Sequence, residues 1–71
     1  MEREKIKNNI IQCLNNYHEC HIFYLKTEKV IVIEENFYSN LSPDIIYIGS
    51  INCINNIENL LNKIDDEIQN L

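Results

Sequence analysis

The sequence predicts an α+β domain of order α-β-β-β-α, with a three-stranded antiparallel sheet and two helices packed on one face. Three observations lead there. Apolar residues recur at helical spacing near each end of the chain. Three short runs of β-branched and aromatic residues lie between those ends. The length of 71 residues allows a single small domain, residues 1–71, and no more.

The first helix is expected over residues 3–16. Ile6, Ile10, Cys13, Leu14 and Tyr17 fall on one stripe, which Ile11 widens. Glu2 and Glu4 suit the positive end of its dipole, and Asn15-Asn16 terminate it. Cys20 to Lys26 and Val30 to Ile33 read as strands joined through Thr27-Glu28 into a hairpin. Phe37 to Asp44, with the only proline, is a loop. Ile45 to Ile48 is a third strand, ended by Gly49. In the last helix Ile54, Ile57, Leu60, Leu61, Ile64, Ile68 and Leu71 follow steps of three and four, with Ser50 or Asn52 as N-cap.

The strands do not alternate between apolar and polar. His21, Phe23 and Leu25 point to one side, and Cys20, Ile22 and Tyr24 to the other. Ile45 and Tyr47 likewise oppose Ile46 and Ile48. Two helices cover one face only, so the other should expose an apolar patch larger than a monomer tolerates. The expectation is a homodimer or partner contact through Ile22, Tyr24 and Tyr47. The alternative is that the Phe37–Asp44 loop folds over that face.

A second surface lies on the last helix. Glu58, Asn62 and Asp65 share a face flanked by Asp66 and Glu67. Acids in the last turns oppose the helix dipole, so stabilising the helix is not their purpose. They form a candidate site for a basic surface on another protein; the plain alternative is a solvated face.

The net charge of −5 argues against direct binding to nucleic-acid backbones, which takes clustered Lys and Arg. No run is long enough to span a membrane, and the charged start lacks the apolar core of a signal peptide. A cytoplasmic location is expected. The three cysteines, Cys13, Cys20 and Cys53, are an odd set and read as reduced thiols filling apolar space. Ala is absent and Ile and Asn abound, a bias expected of an AT-rich genome such as a low-GC bacterium, its phage or a mobile element.

Cys13, His18, Cys20 and His21 bring metal-ligand chemistry together within nine residues. Their spacing is not a familiar zinc pattern, and Cys20 and His21 face opposite ways on a strand. No cofactor or metal is expected. Glu34 and Glu35 also face opposite ways, which denies them a paired acid–base role, and there is no phosphate-cradling loop. No enzymatic activity is expected.

The element order resembles the double-stranded-RNA-binding domain. That family contacts phosphates through a basic start to its last helix, where this chain has Ser50-Ile51-Asn52-Cys53-Ile54-Asn55-Asn56. In size, charge sign and element order the chain also resembles, by type, small acidic phage anti-CRISPR proteins, which occupy nucleic-acid sites on their targets. The resulting expectation is a small acidic protein-binding domain, an inhibitor docking on a basic, nucleic-acid-handling protein. A non-enzymatic homodimeric assembly module is the alternative.

Overall fold

The computed structural model describes residues 2–71. Helix α1 spans Arg3–Asn16, strands β1, β2 and β3 span Cys20–Leu25, Val30–Glu34 and Ile45–Ile51, and helix α2 spans Ile57–Gln69. A 3-10 turn over Ile54–Asn56 leads into α2. The sheet is antiparallel in the order β2-β1-β3, which makes β1 the central strand. The order α-β-β-β-α is the predicted one.

Both helices lie on the same face of the sheet. Their stripes, Ile6 and Ile10 from α1 and Ile57, Leu60, Leu61 and Ile64 from α2, meet Cys20, Ile22, Tyr24, Ile48 and Ile51 in one core. Tyr17, Ile54 and Leu71, expected on those stripes, are exposed. Tyr17 stands just past the end of α1 and Ile54 in the 3-10 turn, so neither shares the helical phase.

The third strand does not stop at Gly49. It runs to Ile51, with Ile48 as the extra residue of a β-bulge: Ile22 pairs with Gly49, and Phe23 already pairs with Tyr47. Gly49 is there for space. A Cβ at this position would lie 3.3 Å from Lys63 Nζ and 3.8 Å from Leu60 Cδ1, so its absence lets α2 settle on β3. Ser50 is consequently a strand residue and Asn52 a connector. The residue before α2 is Asn56, and it makes no side-chain cap hydrogen bond.

The hairpin turn between β1 and β2 closes through Lys29, whose φ of 58° is left-handed and whose N–H donates to Leu25 O at 2.7 Å. Asp44 pins this turn to the start of β3. Its side chain accepts from the Thr27 N–H and hydroxyl, and its carbonyl from the Lys26 N–H.

The reduced-thiol expectation is overturned at two of the three cysteines. Cys13 and Cys20 form a disulfide, and Cys53 is free and exposed. The chain turns back after Asn16, which sets the two Cα atoms 6.4 Å apart, within bridging range. Cys13 on the α1 stripe and Cys20 at the start of β1 therefore share one face of the sheet. Among the described residues, no helix is long and apolar enough to cross a membrane.

Candidate functional site: an aromatic cap over the open sheet face

The acidic face of α2 is largely occupied from within the molecule. Successive steps of four and three put Glu58, Asn62 and Asp65 above one another on the helix. Arg3, in the first turn of α1, sits across from them. Its guanidinium donates to Glu58 Oε2 at 2.9 Å, Asn62 Oδ1 at 3.0 Å and Asp65 Oδ2 at 3.0 Å. Lys7, one turn further along α1, lies 3.1 Å from Glu58 Oε1. These two cations hold the Glu58 carboxyl below the usual carboxylate range, Arg3 contributing first. Three of the five residues expected to face a partner thus bind the helices to each other, and two positive charges offset two negative ones. Asp66 and Glu67 remain exposed. The only arginine in the chain was the sequence signal for this clamp.

The apolar sheet residues divide between the two faces. Ile22 (0% exposed) and Tyr24 (8%) lie under the helices and are unavailable to any partner. Tyr47 pairs with Phe23 and lies on the open side. The open face therefore carries His21, Phe23 and Leu25, the set opposite the one selected from the sequence. Alternation alone could not decide, because both sets are apolar. The Cys13–Cys20 bond ties α1 to the Cys20 side and is the feature that distinguishes them.

Over the open face lies part of the β2–β3 loop. Phe37 packs edge-on to Tyr47 with ring centroids 4.9 Å apart, and lies 5.6 Å from His21. Tyr38 covers Phe23 at 6.2 Å, and Phe23 and Tyr47 touch at 5.2 Å. Spacings of this kind are where offset and edge-to-face ring pairs gain energy beyond simple burial. The loop thus buries Phe23 to 3% exposure, as the alternative reading expected, yet leaves Phe37 54% and Tyr38 50% exposed. It converts a sheet face into an aromatic patch.

His21 supplies the polar end of the patch. Its Nδ1 is 3.0 Å from the Tyr47 hydroxyl and its Nε2 is 3.4 Å from Glu19 Oε2. Both ring nitrogens of this buried imidazole thus have partners, which its burial requires. Glu34 is the residue paired with His21 across the sheet. Two carboxylates, from Glu19 and Glu34, accordingly stand at the rim of the rings.

The disulfide removes the Cys13 and Cys20 sulfurs from any thiolate ligand set, and His18 is exposed. Among the described residues, no three His, Cys, Asp or Glu side chains are grouped to hold a metal ion. Compared with protein-family models, characterised proteins and solved structures, the chain matches none.

Proposed function

We propose that this chain is a non-catalytic protein-binding domain that docks a basic protein surface on its aromatic patch. The observation that carries the reading is the pair Phe37 and Tyr38, half exposed on the buried rings of His21 and Phe23 and the half-buried ring of Tyr47. Large aromatics anchored in this way have the character of interface hot spots, because little side-chain freedom is left to lose on binding. A guanidinium would stack on their faces, and Glu19 and Glu34 would supply counter-charge at the rim. The net charge of −5 would steer a cationic partner toward the domain.

The finer form of the reading is an inhibitor from a phage or mobile element that occupies a nucleic-acid-handling surface. Its support is the AT-biased composition and the acidic balance, with the contact moved from the α2 stripe to the aromatic patch. A cytoplasmic site of action sits poorly with the Cys13–Cys20 bridge, since cytosolic thiols are kept reduced.

The test is capture from native host lysate on the tagged domain with elution by a salt gradient, run in parallel on three proteins. Wild type and Asp66→Lys/Glu67→Lys should retain the same stoichiometric basic protein, and Phe37→Asp/Tyr38→Asp should lose it. Retention by the ring variant together with loss by the α2 variant would overturn the assignment and return the contact to the helix.

A further inference from the structure

The two edges of the sheet are not alike. On β3 the bulge at Ile48 interrupts the regular ladder, and bulges bend a strand and discourage further pairing. On β2 the register against β1 runs unbroken from Val30 to Glu34, with no proline or lysine inside the strand. Beside that edge runs a trough of about 610 Å³ between α1 and β2. Its helix wall carries the side-chain amides of Asn9, Gln12 and Asn16 and the phenol of Tyr17, and its strand wall runs from Ile31 to Glu35. Glu35 stands at one end of the trough. Beyond its other end, past Asn9 and Ile31, Lys29 lines a second hollow together with Glu2 and Lys5.

We propose that β2 pairs with β2 of a second copy, antiparallel about Val32, so that two three-stranded sheets become one of six strands. A two-fold axis through the strand centre requires the antiparallel arrangement. Centred on Val32, it sets Ile31 against Ile33 of the second copy and Lys29 against Glu35 of the second copy. Each contact occurs twice. Ile31 and Ile33 share the helix side of the sheet and continue the core, and Lys29 and Glu35, one residue beyond either end of β2, line the hollows on that same side.

Other registers lack this match. A slip of two residues one way sets Glu34 against Glu28 of the second copy; the other way, it leaves Lys29 against Phe37. The helices also fit. Strands lie about 4.8 Å apart, and α1 sits over β1 and β2, so the two copies of α1 come within about 10 Å, a normal packing distance. The amides between them both donate and accept, which suits a surface that must recognise itself.

Sedimentation equilibrium over a concentration series tests this, with far-UV circular dichroism confirming that each variant is folded. Wild type should dimerise. Glu35→Lys, which places like charges together at both ends, should weaken the dimer by about tenfold or more. The swap Lys29→Glu/Glu35→Lys should restore it, and Phe37→Asp/Tyr38→Asp should leave it unchanged. A wild-type monomer at about 1 mM overturns the proposal. So does a dimer indifferent to Glu35→Lys, one the swap fails to rescue, or one lost when the open face is altered.

Discussion

Arg3 and Asp65 meet at 3.0 Å across 62 positions of sequence, and through this contact α1 and α2 are held by charge as well as by their apolar stripes. The guanidinium has three acceptors on one helix face, a geometry that a single surface ion pair lacks. Arg3→Ala should therefore lower the melting temperature by roughly 2–8 °C, more than an isolated surface pair would. The difference should shrink in about 1 M salt, where screening reaches within about 3 Å. Differential scanning calorimetry at low and high salt checks both statements.

Acid should loosen the same joint. The Glu58 carboxyl is held below its ordinary value of 4.5 in the folded chain, first by Arg3 and then by Lys7. A depressed folded pKa contributes stability that is fully present above the unfolded value and is lost as pH falls through the folded one. The contribution should thus fade from about pH 4.5 downward. Urea titrations at pH 7 and pH 3 should show a smaller pH dependence for Glu58→Gln than for wild type. Equal dependence would mean that the clamp does not govern the acid limb.

Reduction should cost the domain about 2 kcal/mol, the loop-closure value for a bridge across seven residues. Thermal melts with and without dithiothreitol measure it, and Cys13→Ser/Cys20→Ser should reproduce the reduced curve. Alkylation before and after reduction should count one reactive thiol, then three. Performed directly on native cells, the same count decides between a reducing and an oxidising compartment.

The aromatic patch should separate stability from binding. Phe23 is buried between Tyr38 and Tyr47, and Phe23→Ala should cost about 3–5 kcal/mol, a large share of what so small a domain has. Tyr38→Ala, at a half-exposed position, should cost under about 1 kcal/mol. Chemical denaturation distinguishes them. Similar losses at the two sites would show that Tyr38 is a core residue and not a presented one.

Much of the fold was legible because local patterns carried it: period 3.6 at Ile6–Leu14 and Ile57–Ile68, and β-branched runs at Val30–Ile33 and Ile45–Ile48. What stayed hidden depends on contacts distant in sequence. Gly49 looked like a terminator because its actual neighbours, Leu60 and Lys63, are on another element. The buried side of β1 could not be chosen when Ile22 and Phe23 are equally apolar. Glu58, Asn62 and Asp65 had the spacing of a binding face, and only the position of Arg3 reveals that the face is already filled. The aromatic cap needed the path of the loop that carries Phe37 and Tyr38, which no periodicity encodes.

The Arg3 clamp also makes the chain nearly a closed ring. The first turn of α1 and the last turns of α2 are neighbours: Asp65 meets Arg3, and Ile68 borders the same hollow as Glu2 and Lys5. Connectivity is therefore separable from architecture here. A short linker from α2 back to α1, with new ends opened between Ser39 and Ser42, would thread the same contacts in the order β-α-α-β-β. Every strand pairing, the disulfide and the clamp would survive that re-threading, because none of them depends on where the chain is cut.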